Sequence, residues 1–158
     1  MTTGTIVSLH RASAAKVSME RVDSLSIEQG RGVEGDRYFL GTGTFSDPPG
    51  PDRHVTLIEL EAIESLEKSS GIAFEAGDAR RNVVTRGLSL NDLVGRELML
   101  GTVRLRGMRL CEPCLHLAKL TRTEGVLPAA LVHRGGLRCE ALSSGVVRVG
   151  DVVRAIEV

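Results

Sequence analysis

Tryptophan is absent from the 158 residues and aromatics make up only 3 % of them, so the core has to be aliphatic, mostly Leu and Val. Cysteine is scarce and odd in number, at three, which excludes a disulfide framework. Net charge is missing as well. Twenty basic residues balance twenty acidic ones, so no global positive field draws in nucleic acid or an anionic membrane. The longest uncharged apolar run, Leu127 to Val132, falls far short of the roughly twenty residues of a membrane-spanning helix. The N-terminal stretch MTTGTIVSLH has neither a basic start nor a long apolar run. Together these absences predict a soluble, cytoplasmic protein with reduced thiols and neither nucleic-acid nor membrane partner. Length predicts one domain, 1–158.

Lysine is also nearly missing. Lys16, Lys68 and Lys119 stand alone among the twenty basic residues, and the rest are Arg. Arg presents a planar fork that grips phosphate or carboxylate bidentately, so local anion sites remain open despite the neutral total. Only clustered Arg carry that reading.

Short β-favouring runs recur at Thr5 to Leu9, Val22 to Ile27, His54 to Ile58, Asn82 to Thr85, Glu97 to Leu100, Thr102 to Arg106, Leu137 to Leu142 and Asp151 to Val158. Turn signals separate them, among them Gly95, Leu100-Gly101, Ser144-Gly145 and Gly150-Asp151. The spacing predicts hairpins and a meander rather than βαβ crossovers, and thus a mainly β, barrel-like sheet. Helices are few. The clearest runs from Glu59 to Ser69, with Leu60, Ile63 and Leu66 on one face and Gly71 as its stop. Short helices are expected from Pro113 and near Pro128. Gly41 to Arg53 holds three of the five prolines and is expected as a loop.

Gly30 to Gly35 (GRGVEG) matches the dinucleotide fingerprint G-x-G-x-x-G, but the following DRYFLGTGTF has no helical period to receive a pyrophosphate. The signatures of P-loop NTPases, zincins and α/β-hydrolases are absent. The most informative stretch is Arg104 to Leu120. There a basic strand runs into Cys111-Glu112-Pro113-Cys114, and Pro113 at a helix start places Cys114 in the first turn, where a thiolate is favoured. Arg109 just upstream would lower that thiol's pKa further.

Several readings fit these cysteines. Cys114 is a nucleophile, sulfur carrier or soft-metal ligand; or Cys111 and Cys114 are a redox dithiol; or the pair is half a zinc site completed by His133 and Cys139, or by His116; or they are plain buried cysteines. Arg80-Arg81-Asn82 is the best Arg cluster, able to hold a phosphate or a polar heterocycle, or else a solvated turn. Glu59, three residues after Thr56, is expected to act as a capping box. His54, His116 and His133 could each ligate a metal or shuttle protons, but a lone His is more often structural.

Four blocks together resemble a MOSC domain, a module similar to the C-terminal domain of molybdenum cofactor sulfurases. They are Gly32 to Tyr38 followed by Val55 to Glu59; Arg80 to Gly87 followed by Leu90 to Arg96; Leu110 to Cys114; and His133 to Arg138, closing at Val149 to Asp151. The resemblance implies a barrel-like β fold with the family's cysteine at Cys114, carrying sulfur or ligating molybdenum. It further implies a molybdenum cofactor held by Arg80, Arg81, Asn82 and Arg109, and reduction of N-hydroxylated small-molecule substrates with electrons or sulfur from an external donor protein. A sulfur carrier with a Cys114 persulfide, or a non-catalytic barrel with a structural Cys pair, are the alternatives. Tyr38 stands where many members carry His, which leaves proton transfer at that position unassigned.

Overall fold

The computed structural model describes residues 3–14, 17–41, 50–71, 80–111 and 135–156. Eleven strands are found among them: β1 (Thr3–Arg11), β2 (Glu20–Val22), β3 (Ser24–Glu28), β4 (Gly32–Val33), β5 (Val55–Glu59), β6 (Val83–Arg86), β7 (Glu97–Leu100), β8 (Val103–Leu110), β9 (Leu137–Ala141), β10 (Gly145–Arg148) and β11 (Val152–Ala155). The sheet runs β11-β7-β8-β9-β5-β6-β1, and β1 pairs again with β11, so seven strands close into a ring with β2 added outside β1. Closure removes the free edges that an open sheet of this size would present. A second sheet, β10-β3-β4, packs its inward residues Leu25, Ile27, Val33 and Val147 into the same core. The mainly β, barrel-like expectation is met. No helix among the described residues is long and apolar enough to cross a membrane.

The core follows from strand alternation. On β7, Leu98 and Leu100 point inward; on β8, Val103 and Leu105; on β9, Leu137, Cys139 and Ala141, while Arg104, Arg106, Arg138 and Glu140 face out. On β1 a strict period of two would put Ile6, Ser8 and His10 on one face. A register shift against β6 between Ile6 and Ser8 breaks it. The bulge lets Ile6 and Leu9 both enter the core and turns Ser8 and His10 to the opposite face.

Helix α1 (Arg37–Leu40) is a single turn, and α2 spans Leu60–Ser70. The predicted helix is thus present, one residue later than expected, with Gly71 closing it in the left-handed region at φ 73°. Ala62 and Ile63 of α2 are buried, as are Ile58 and Val84 on the face of β5 and β6 that points away from the barrel core. Here the expectation of hairpins needs correction, because β5 and β6 are parallel and α2 connects them as a crossover. Glu59 also departs from its predicted role. It precedes α2 without a side-chain capping bond, and its carboxylate accepts the Leu90 N–H at 3.2 Å, which starts the 3-10 turn Leu90–Leu93.

The predicted strand over Val22 to Ile27 divides at Asp23 into β2 and β3, which pair with different sheets. β4 and β10 were not expected, since two residues give no period and Ser144-Gly145 reads as a turn. The helices expected from Pro113 and Pro128, and most of the loop expected over Gly41 to Arg53, lie outside the described residues, though Pro51–Arg53 forms a 3-10 turn.

Candidate functional site

The Arg80-Arg81-Asn82 block leads into β6 and is buried: Arg80 and Arg81 are each 8 % exposed and Asn82 is 1 % exposed. The solvated-turn alternative is therefore excluded. Asn82 acts as a bolt between strands. Its Oδ1 accepts the Thr56 N–H at 3.1 Å and the Thr56 hydroxyl at 3.2 Å, its Nδ2 donates to the His10 carbonyl at 3.2 Å, and its backbone carbonyl accepts the His10 N–H at 2.8 Å. With its amide engaged on both sides, Asn82 fixes the two arginines before it.

Arg80 is the one non-glycine residue of the described chain in the left-handed region, at φ 57°. That conformation costs about 1–2 kcal/mol for an L-residue. It is held by Arg37, whose Nη2 donates to the Arg80 carbonyl at 3.0 Å, and by the Arg80 Nη1 bond to the Val17 carbonyl at 2.6 Å. Arg81 Nε donates to the Gly135 carbonyl at 2.9 Å.

Arg37, 5 % exposed, is the site residue that sequence reasoning passed over. The available signal was Asp36, which caps α1 by accepting the Tyr38 N–H at 3.4 Å, takes the Ala12 N–H at 3.1 Å and pairs with Arg37 at 3.2 Å. The cap also explains why the glycine fingerprint is not a phosphate loop. The helix that follows it is one turn long and its N-terminus is already occupied by a carboxylate.

Arg37, Arg80 and Arg81 bring three guanidiniums to one place, with Asp36 as the carboxylate beside them. Neither Arg80 nor Arg81 forms an ion pair among the described residues. Burial, then the charge of Arg37, pulls the Arg80 pKa below its ordinary value, the mark of a place short of negative charge. Such a cluster offers charge-assisted donors to an anionic group.

Arg109 is engaged by a different partner. Its Nε donates to Asp52 Oδ2 at 2.6 Å and its side chain is 58 % exposed. Burial alone would raise the Asp52 pKa, but the Arg109 hydrogen bond and the charges of Arg109, Arg53 and Arg138 outweigh it and hold the pKa below the usual carboxylate value. Cys111 is fully buried, and its N–H donates to the Gly136 carbonyl at 2.7 Å. Gly136 has φ 110° and lies against the Leu57 carbonyl, so close that a Cβ there would collide with it. Cys139 faces the core, and burial, helped by Cys111, pushes its pKa up and keeps it a thiol. Among the described residues no three His, Cys, Asp or Glu side chains gather as a metal site. Cys114, His116 and His133 lie outside the described residues. The described chain breaks after Cys111 and resumes at Gly135, whose carbonyl is the Arg81 acceptor.

His10 also went unremarked in the sequence. It is 2 % exposed, its Nε2 lies 2.8 Å from Ser8 Oγ, and its Nδ1 is buried with no partner among the described residues. Burial, then the Arg21 charge, lowers its pKa to about 4.

The class is thus a closed seven-stranded β-barrel that carries a buried arginine cluster beside a one-turn helix. The MOSC domain profile matches residues 33–154, most of the chain, and the chain belongs to the MOSC domain family. Solved structures agree in fold. The YuaD protein of Bacillus subtilis is similar at TM-score 0.78 and 18 % identity, over 99 % of this chain and 98 % of that one. YiiM from Geobacillus stearothermophilus is similar at TM-score 0.70 and 20 % identity, over 98 % of this chain and 73 % of that one. YiiM from Escherichia coli gives TM-score 0.71 at 16 % identity, over 100 % and 71 %. No curated protein sequence matches the chain.

Proposed function

We propose that this is a cytoplasmic MOSC protein that binds the molybdenum cofactor, with Cys114 as its thiolate ligand. The observation that carries the reading is the Arg80–Arg81 pair, buried and without an ion-pair partner among the described residues. A buried cation left unneutralised is costly, and the phosphate of a pterin cofactor is a group of the right charge and geometry to neutralise it. Cys114 follows Cys111 by three residues in the sequence, and Cys111 bonds Gly136, next to the Gly135 carbonyl that accepts from Arg81.

When bound, the cofactor supplies two-electron oxygen-atom chemistry, here the reduction of N-hydroxylated substrates. The protein's own residues bind and orient. Arg80 and Arg81, with Arg37, grip the anionic part. Asn82 holds the turn that presents them, through Thr56 and His10. Arg109 acts from the rim through Asp52. Each N–O bond reduced consumes two electrons and two protons, so an external electron-donor protein is a required partner.

The test is Mo, Zn and cyanide-labile sulfur per chain, for protein from a host that overproduces the cofactor, in wild type, Cys114→Ser and Cys111→Ser. Near-stoichiometric Mo lost in Cys114→Ser and kept in Cys111→Ser is expected. Sulfur without Mo would make the protein a persulfide carrier instead. Equal loss in both variants, or Zn alone, would replace the thiolate assignment with a dithiol or zinc site.

A further inference from the structure

Strands β8 and β9 set Arg109 and Arg138 directly opposite each other on the outward face of the barrel. Like charges placed directly opposite across a ladder repel and cost stability. The carboxylate that answers them is Asp52, on the turn Pro51–Arg53 that packs against β9. It takes the Arg109 Nε bond described above, feels the charge of Arg138 as well, and is already shared with Arg53 at 3.6 Å. Arg138 has no ion-pair contact among the described residues, and its Nε is buried with no hydrogen-bond partner among them. Positive charge is therefore left over at this end of the face, in a chain whose total is zero. The other end of the same face is balanced. Arg104 and Arg106 share Glu97, and Arg106 also reaches Glu140 at 3.8 Å, so two cations meet two anions.

That pattern selects the partner. A uniform polyanion such as nucleic acid, laid along β8 and β9, would gain at Arg109 and Arg138 and lose at Glu97 and Glu140, whereas a compact acidic patch on a folded surface meets the first pair and stops short of the second. A single small anion gains little, because the Arg109 side chain is 58 % exposed and screened by water. Several carboxylates on one body add their attractions and steer its approach. We propose that the Arg109–Arg138 pair is the docking surface for an acidic patch on a partner protein. The pair flanks the end of β8 from which the chain runs on, two residues past Arg109, to Cys111. The proposal deepens the functional reading by giving its external donor protein a place to bind, and it rests on that reading only for naming the partner as the donor.

Hexaglutamate is the probe and hexathymidylate its control, each titrated into ¹⁵N-labelled protein without added cofactor and followed through backbone amide shifts. Hexaglutamate should bind saturably, shift the amides of Arg109 and Arg138, and weaken at least about fivefold as salt rises from about 0.02 to about 0.2 M. Arg109→Gln and Arg138→Gln should each weaken it about threefold or more, while Arg104→Gln stays within about twofold of wild type. Asp52→Asn removes the negative charge and keeps an acceptor for Arg109, so it should tighten binding about threefold. A merely structural role for the cluster would leave affinity unchanged or lower it in that variant, and the same spectra report whether each variant is folded. Four results would overturn the proposal: no saturable shift, shifts centred on Arg80 and Arg81, an Asp52→Asn variant that binds no tighter, or hexathymidylate binding as tightly as hexaglutamate. Since no metal enters this experiment, its failure and the failure of the Cys114 assignment are told apart by the metal and sulfur content measured separately.

Discussion

His10 makes acid stability a direct readout of the barrel's outer layer. An ordinary histidine titrates near 6.5, and in the fold this one is held at about 4 by burial and by Arg21, its cross-strand partner on β2. Because the folded pKa lies below the unfolded one, both states are neutral above pH 6.5 and His10 adds no pH dependence there. As pH falls through 6.5 the unfolded chain takes up a proton that the native state refuses, so stability declines. The decline ends near pH 4, where the native ring also protonates. The full linkage is about 3.4 kcal/mol, and residual solvent screening brings the expectation to about 2–3 kcal/mol. The assay is urea denaturation at closely spaced pH values, comparing wild type with the Ser8→Ala/His10→Leu double variant, which removes the titrating ring together with the hydroxyl that would be orphaned. The wild-type minus variant difference should be flat above pH 6.5 and should shift against wild type by about 2–3 kcal/mol between there and pH 4. A difference constant to within about 0.5 kcal/mol across that window, or an NMR titration of His10 near 6.5, would refute the burial argument.

Four further outcomes follow from the structure. Asn82→Ala leaves the buried Thr56 N–H and His10 carbonyl without their side-chain partner, and should destabilise by about 2–4 kcal/mol in urea unfolding. Inorganic phosphate should stabilise wild type by mass action, about 2.7 kcal/mol at a hundred times its Kd. Arg81→Ala should abolish that gain, and a Tm that rises equally in the variant would remove the anion site from this turn. Arg80→Gly relieves the left-handed strain while losing the Val17 bond, so its stability should stay within about 1 kcal/mol of wild type as phosphate stabilisation disappears. Gly136→Ala drives a Cβ into the Leu57 carbonyl at a residue with φ 110°, and soluble expression or circular dichroism should show loss of the fold.

The barrel was legible in sequence because its strands carry their own period. Leu98, Leu100, Val103 and Leu105 alternate with outward Arg and Glu, and the glycine at 101 marks the turn between β7 and β8. Two things defeated the period. At β1 the bulge shifts the face by one residue in mid-strand, so Ser8 and His10 read as core positions or as nothing, when they form a polar layer outside the core. At β5 and β6 the crossover depends on where α2 lands rather than on any local signal. The arginine block was visible as a cluster, yet its burial was not, because Arg80 and Arg81 are covered through partners distant in sequence, Val17 and Gly135. Arg37 stayed hidden inside a motif read for its glycines. Arg109 was legible only as a cation near Cys114 in sequence; its partner Asp52, from another element, was not, because no local signal joins positions so far apart in the chain.

The placement of charge favours the proposed anion site, before β6 and beside α1, over the exposed arginines of β8. Arg104 and Arg106 lie on a solvated face, where water and Glu97 screen them and an anion gains little. Arg80 and Arg81 precede a strand locked between β5 and β1, and the lock is Asn82. Strain at Arg80 is tolerable only because that bolt and the Arg37 bond over-determine the turn. Their bonds to Val17 and Gly135 hold both guanidiniums in place, so an anion bound there, as proposed, would meet donors already oriented and partly desolvated, with the entropy of ordering two long side chains lost in folding rather than at binding. Lys at either position would keep the charge and lose the fork. Arg81→Lys should therefore preserve the fold yet weaken phosphate binding about tenfold, the worth of one charge-assisted hydrogen bond; equal affinity in the two proteins would mean that charge alone, without geometry, makes the site.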